Sequence, residues 1–104
     1  MKRLFLVLFT LMFNIQSALA ATVRVDILKF EYSPQQITIN AGDTVIWTNR
    51  EKRQYHNVWF KDLDSEEPDI FFPGETYQRT FPDAGTFNYE CGPHPKMKGS
   101  VLVE

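Results

Sequence analysis

The chain has 104 residues, with 11 Lys and Arg against 13 Asp and Glu, which gives a formal net charge of −2. This length fits one domain, and the slightly acidic balance excludes a general nucleic-acid binder, which needs a strongly basic face. Cys91 is the only cysteine, so a disulfide within the chain is also excluded. A domain this small commonly compensates for its modest core with disulfides or a metal, which leaves a metal here.

The first twenty residues have the pattern of a secretory signal peptide. Lys2 and Arg3 are followed by an apolar run at 4–13, and Ala-Leu-Ala at 18–20 offers a cleavage site. The run is half of the about 20 apolar residues that a membrane-spanning helix needs. We therefore expect a signal peptide at 1–20, a domain at 21–104 and a periplasmic protein without a membrane anchor. Removing Lys2 and Arg3 leaves 9 basic and 13 acidic residues, so the net charge becomes −4.

From Thr22 onward, apolar residues recur at every second position, which is the period of a half-buried strand. Turn signals such as Ser33-Pro34 separate these runs, while 49–55 and the acidic segment 62–69 are predicted loops. The pattern predicts an all-β sandwich or barrel. The predicted strands contain Val23, Val25 and Ile27; Ile37 and Ile39; Val45 and Trp47; Val58 and Phe60; Tyr77, Arg79 and Phe81; Phe87 and Tyr89; and Val101 and Val103.

A metal site is indicated by residues 91–97, where Cys91, His94 and Met97 lie three residues apart in one short segment. A thiolate, a thioether and two imidazoles form the His₂Cys plane with a weak axial Met that suits copper in electron transfer. His56 is the only other histidine in the chain. We therefore predict one copper ion bound by His56, Cys91, His94 and Met97.

Other interpretations use the same residues. Taken singly, a buried cysteine can be a small hydrophobe, a methionine core filler and His56 a polar residue at a strand start. These three structural roles do not explain why the few metal-binding residues of the chain are concentrated in one loop and one strand end. Copper storage or delivery would use the same ligands but favours exposed, exchangeable sites. A fragment of a copper enzyme such as a nitrite reductase would need further histidines, and zinc is poorly served by methionine.

The spacing C-x-x-H-x-x-M at 91–97 resembles that of the cupredoxin family of plastocyanin- and azurin-like blue copper proteins. Other segments also resemble the family, most closely its amicyanin subgroup. They are the flanks of the ligand segment at 85–90 and 98–104, His56-Asn57-Val58, and 41–45 followed by Trp47. The resemblance implies a Greek-key β-sandwich of about seven to eight short strands and a one-electron carrier, not an enzyme. It implies that His94 is the solvent-edge ligand, that His56 is buried, and that the Asn57 backbone amide supports the Cys91 sulfur.

Two residues of the ligand segment depart from the pattern that the resemblance implies. Gly92 stands where relatives usually have a hydroxyl residue that Asn57 can tether, and Lys96 stands where the subgroup has an apolar residue. Basic residues flank the predicted ligands, which predicts either a solvated loop face or a basic rim for a redox partner with an acidic docking surface. We expect a monomer. The rim residues are Arg50, Lys52, Arg53, Lys96 and Lys98.

Overall fold

The computed structural model describes residues 19–104, so most of the predicted signal peptide, 1–18, lies outside the described residues. Within that range the chain forms strands and no helix, and therefore no helix that could cross a membrane. The strands are β1 (Thr22–Leu28), β2 (Glu31–Ser33), β3 (Gln36–Ile39), β4 (Thr44–Asn49), β5 (Thr76–Thr80), β6 (Gly85–Glu90) and β7 (Lys98–Val103).

The strands form two sheets, in the orders β2-β1-β4-β5 and β3-β7-β6. β1 runs parallel to β4, with Val25 opposite Trp47, and β3 runs parallel to β7, with Ile39 opposite Val103. The other pairs are antiparallel. Parallel neighbours arise because the chain changes sheets between them: it crosses to the second sheet at β3, returns at β4 and crosses again at β6. The predicted all-β sandwich is confirmed.

The core contains the residues that the alternating pattern assigned to it. Val25, Val45, Trp47 and Val101 are completely buried. Trp47 lies at the centre, and its indole N–H donates a 3.1 Å hydrogen bond to the hydroxyl of Tyr89. This hydrogen bond matters because a buried polar group without a hydrogen-bond partner lowers the stability of the fold by about 1–3 kcal/mol.

The predicted strand at 58–60 is wrong, although its burial is as expected. Val58 and Phe60 are fully buried, yet the backbone around them pairs only through single bridges. One bridge joins Trp59 to Glu90, and His56 makes the other to the segment before β5. Side chains alternate here because the chain is extended, but it has no continuous partner strand.

Two smaller differences concern strand ends. The sequence pattern did not predict β2, because the three-residue strand presents only one inward side chain, Tyr32. Phe81 was predicted within a strand but follows the end of β5, where it is still buried. A pattern of period two needs several repeats before it can be distinguished from a single inward residue.

The β6–β7 connection and the long segment between β4 and β5 come together next to the end of β6. The backbone of Trp59 exchanges two hydrogen bonds with Glu90, of 2.9 and 3.1 Å. Glu90 is the last residue of β6 and immediately precedes Cys91. The segment that contains His56 is therefore held beside the ligand segment, although 35 residues separate His56 from Cys91.

Candidate metal centre

Residues 91–97 form a tight loop closed by its own backbone. The His94 amide donates to the Cys91 carbonyl at 3.2 Å, and the Met97 amide donates to the His94 carbonyl at 2.9 Å. The Cys91 amide donates back to the Met97 carbonyl at 3.1 Å. Pro93 and Pro95 restrict φ on both sides of His94. The loop thus holds the backbones of Cys91, His94 and Met97 close together, and the side chain of Met97 is buried.

His56 is fixed by both its backbone and its ring. Its amide and carbonyl exchange hydrogen bonds of 3.2 and 2.8 Å with the backbone of Phe71, and its side chain is fully buried. The ring Nε2 lies 2.9 Å from a carboxylate oxygen of Glu51. Because Nε2 is engaged by Glu51, Nδ1 is the ring nitrogen left to face other groups.

The structure brings three of the predicted ligands together. The Sγ of Cys91 lies 3.7 Å from Nδ1 of His56 and 3.5 Å from Nδ1 of His94. All three donor atoms lie within 4.8 Å of one another. An ion at the centre of a trigonal plane, with bonds of about 2.0–2.3 Å, would set neighbouring donors about 3.6 Å apart. These residues therefore fit a bound copper ion.

Burial favours the neutral imidazole that a metal requires and opposes a thiolate without one. Burial lowers the pKa of His56, and the neighbouring Glu51 only partly offsets this effect. Burial likewise raises the pKa of the Cys91 thiol, against hydrogen bonds from the backbone of Asn57 and His94. A bound metal ion would supply the positive charge that stabilises the buried thiolate.

The comparisons with known proteins agree with a copper-binding protein. The model of the copper binding proteins of the plastocyanin/azurin family matches residues 19–104. The chain is a plastocyanin/azurin-family protein. Its cofactor is copper, and the protein is a blue copper electron carrier rather than an enzyme, as the sequence predicted.

Individual relatives place this plastocyanin/azurin-family protein near the amicyanins. It is 40% identical over 94 residues to amicyanin-alpha of Methylorubrum extorquens, covering 86% of this chain and 78% of that protein. Plastocyanin of Scenedesmus fuscus is 35% identical, covering 70% and 86% of the two chains. The crystal structure of amicyanin from Paracoccus versutus superposes with a TM-score of 0.75 at 40% identity, covering 80% of this chain and 81% of that one.

In this plastocyanin/azurin-family protein, His94 is the exposed edge of the cluster, and two aromatic side chains flank it. His94 is partly exposed, whereas His56 is fully buried, which is the arrangement expected from the sequence. Phe30 meets the His94 ring edge-on at 4.9 Å between centroids, and Tyr55 stacks on it at 6.1 Å. Phe30 and Tyr55 are 44% and 42% exposed, so they form an apolar surface around His94.

Glu51 and Phe30 contact predicted ligands, although the sequence pattern indicated neither of them. Lys29 and Phe30 form the β1–β2 turn with φ of 56° and 60°, a left-handed conformation that turn sequences usually assign to Asn and Gly. The Glu51 oxygen that contacts His56 also accepts the Phe30 amide at 2.9 Å. Neither residue belongs to a recognisable motif, and the turn lacks the Asn and Gly that would have predicted a tight turn at 29–30.

The predicted basic rim is smaller than the sequence suggested. Arg50 forms an ion pair with Asp26, and Lys98 forms one with Glu90, each at 3.1 Å. The other three members of the predicted rim are exposed and form no ion pair within residues 19–104. They are Lys52, Arg53 and Lys96.

Asn57 connects the segment of His56 to the ligand loop. Its side chain is fully buried, and its Oδ1 accepts the backbone amide of Gly92 at 2.7 Å. Its Nδ2 donates to a carboxylate oxygen of Glu67 at 2.8 Å and to the carbonyl of Pro68 at 3.1 Å. Asn57 therefore tethers position 92 through the backbone amide of Gly92, although the hydroxyl that relatives usually have there is absent. Glu67 was missed because its sequence context is only that of a solvated acidic loop.

Proposed function

We propose that this protein is an exported carrier of single electrons whose copper is bound by Nδ1 of His56, Nδ1 of His94, the Cys91 thiolate and, axially, the Met97 thioether. The observation that supports this most directly is that both Nδ1 atoms face the Cys91 sulfur at 3.5–3.7 Å. Copper supplies the change between Cu(I) and Cu(II), which takes up or releases one electron.

The protein's contribution is to hold the donors still. His56 is fixed by its backbone bridge and by Glu51, and Cys91 is fixed by the hydrogen bond between its amide and Met97. The two oxidation states prefer different ligand geometries, so a stiff intermediate arrangement reduces the rearrangement that accompanies each transfer. A small rearrangement permits fast exchange with partners.

Electrons would enter and leave through His94, because it is the only one of the two imidazoles that reaches the surface. Phe30 and Tyr55 exclude water around it and offer an apolar contact to a redox partner. Exposed Lys52 and Lys96 would add attraction to an acidic partner, which weakens as salt rises.

The electrostatic attraction of a partner can be tested with an acidic redox protein as the probe. We expect the association rate to fall between low and high ionic strength, and Lys96→Glu to lower it at low salt. Arg24→Glu is the matched control, because it makes the same charge change at an exposed position on β1. Equal rates for both variants, or a rate independent of salt, would reject the acidic partner.

Export is supported by the targeting pattern at 1–20 and by the position of β1, which begins at Thr22, just after the proposed cleavage at Ala20. The mature protein would be a periplasmic monomer. Mass spectrometry of the protein from a periplasmic extract should give a chain that begins at Ala21. An intact precursor that remains in the cytoplasm would contradict export.

The copper site is tested by adding Cu(II) to metal-free protein that begins at Ala21. We expect one equivalent to produce an intense blue charge-transfer band and reversible one-electron cycling. Cys91→Ser should give no band, whereas Met97→Leu should keep the band and alter the reduction potential. If the unmutated protein binds copper without turning blue, the proposed ligand set is wrong.

Copper storage or delivery would use the same four residues. The burial of His56 and Cys91 disfavours it, because delivery needs ligands that an acceptor can reach. A carrier should pass electrons many times before it loses copper to an external chelator. Loss of copper that is faster than electron exchange would favour delivery.

A further inference from the structure

An acidic side chain lies against the ligand loop at the residue that follows Cys91. A Cβ atom added at Gly92 would overlap the carboxylate of Glu67. Glycine at position 92 therefore leaves the space that the Glu67 carboxylate occupies. No other glycine of residues 19–104 has a carboxylate in this position.

Buried Asn57 links the Glu67 carboxylate to the ligand loop. Asn57 donates to Glu67 at 2.8 Å and accepts the Gly92 amide at 2.7 Å, so two hydrogen bonds connect the carboxylate to the ligand loop. Gly92 follows Cys91 directly, so the carboxylate that occupies the space at Gly92 lies beside a proposed copper ligand.

We propose that Glu67 is a positioning residue that orients Asn57 toward the ligand loop and whose negative charge lowers the reduction potential of the copper. This proposal rests on the proposed copper site. Cu(II) bears one more positive charge than Cu(I), so a nearby negative charge stabilises the oxidised form. Gly92 is what makes room for that charge.

The size of the effect is limited by solvent, because Glu67 belongs to an exposed segment. We expect removal of the charge to lower the ratio of Cu(II) to Cu(I) affinity on the order of threefold to tenfold. With 59 mV per tenfold change for one electron, the reduction potential rises by about 30–60 mV.

The test compares reduction potentials of copper-loaded variants at constant ionic strength. Glu67→Gln keeps an acceptor for Asn57 and removes the charge. Glu66→Gln is the matched control, because it removes the same charge from the neighbouring exposed residue, which makes no hydrogen bond or ion pair within residues 19–104. We expect a rise for Glu67→Gln at least three times that for Glu66→Gln.

A second variant tests the space at position 92. Gly92→Ser should displace the carboxylate and raise the potential as Glu67→Gln does, and the double variant should rise no further than either one. Equal shifts for Glu67→Gln and Glu66→Gln in proteins that remain blue would overturn the role of Glu67. If the unmutated protein does not turn blue, the copper site itself is wrong and both proposals fail together.

A separate observation concerns the start of the domain. The Asp43 carboxylate is only 5% exposed, and one of its oxygens accepts the Ala21 amide at 2.8 Å. Its other oxygen accepts the Asn40 amide at 2.9 Å. The Ala21 carbonyl accepts the Thr44 amide at 3.0 Å, so Ala21 is held from both sides. Within residues 19–104, no Lys or Arg pairs with Asp43.

We infer that Asp43 is the counter-ion of a new N-terminus, and that removal of the signal peptide completes an ion pair in the mature domain. This inference rests on the proposed cleavage after Ala20. Hydrolysis of the Ala20–Ala21 bond consumes one water and leaves a carboxylate on Ala20 and an ammonium on Ala21. The ammonium nitrogen would replace the amide nitrogen that already lies 2.8 Å from Asp43.

The experiment uses the protein that begins at Ala21, with and without chemical acetylation of its α-amino group. Acetylation keeps an N–H donor and removes the charge, so the acetylated form should unfold a few degrees lower at pH 6.5, where the α-amino group is charged. In Asp43→Asn, acetylation should have no effect.

The same shift on acetylation with and without Asp43, or no shift in either protein, would overturn this pairing. The site of cleavage is checked separately, by the mass of the exported protein. A chain that begins elsewhere than Ala21 would contradict the proposed cleavage without changing the result of the acetylation experiment.

Discussion

Replacing Asn57 by alanine would remove the hydrogen bonds by which this side chain holds the ligand loop and the segment 62–69 against the segment of His56. The Asn57 side chain makes three such bonds, to Gly92, Glu67 and Pro68, at 2.7, 2.8 and 3.1 Å. A net contribution of about 1 kcal/mol for each bond gives a loss on the order of 3 kcal/mol. At about 0.05–0.15 kcal/mol per residue, a domain of this length has a total stability on the order of 4–12 kcal/mol. The variant should therefore lose a quarter or more of it.

The loss is measured by urea unfolding of the metal-free protein, followed by tryptophan fluorescence. Asn88→Ala is the matched control, because Asn88 is exposed and its side chain makes no hydrogen bond in the described part of the chain; its effect should stay below about 0.5 kcal/mol. The Asn57→Ala variant should also release copper faster. If it loses less than about 1 kcal/mol, the Asn57 side chain does not stabilise the contact between these segments.

Three further changes test the fold around the site. Trp47→Phe removes the hydrogen bond to Tyr89 and should cost about 1–2 kcal/mol in urea unfolding, whereas Trp59→Phe, whose indole N–H has no partner within residues 19–104, should cost under about 0.5 kcal/mol. Burial raises the pKa of Tyr89 to about 12 from its ordinary 10.0. Stability that Tyr89 contributes below pH 10 should therefore be lost toward pH 12, by up to about 2–3 kcal/mol, and Tyr89→Phe should show a smaller decline. Lys29→Gly relieves a left-handed turn residue and should raise stability by about 0.5–1 kcal/mol in the same assay; a decrease would show that the turn is not strained.

The fold was largely predictable because most strands have several inward residues in alternation. Val23, Val25 and Ile27 predicted β1, and Val101 and Val103 predicted β7. The same rule failed at 58–60, where alternation records an extended chain with one side buried rather than a strand with a partner. Whether an extended segment pairs with a neighbouring strand depends on where distant parts of the chain lie. The local sequence carries no information about that.

The ligand types were predictable because copper restricts them to a few side chains, and the chain has few of those. The residues around them were not. Glu51 and Glu67 lie in polar loops like any solvated acidic residue, and only the folded chain shows that they contact His56 and Asn57. Gly92 gave a partial signal, since glycine departs from the family pattern there, but the sequence does not reveal what fills the space.

The pair of backbone hydrogen bonds between His56 and Phe71 has a consequence for how the protein acquires its metal. Because these hydrogen bonds join backbone groups and need no metal ligand, we expect loading to require no folding of the chain around copper. Amide hydrogens of His56 and Phe71 should accordingly exchange slowly in both the metal-free and the loaded protein. Uptake would then be limited by access past His94, so the same opening would serve the arrival of the metal and, later, the passage of electrons.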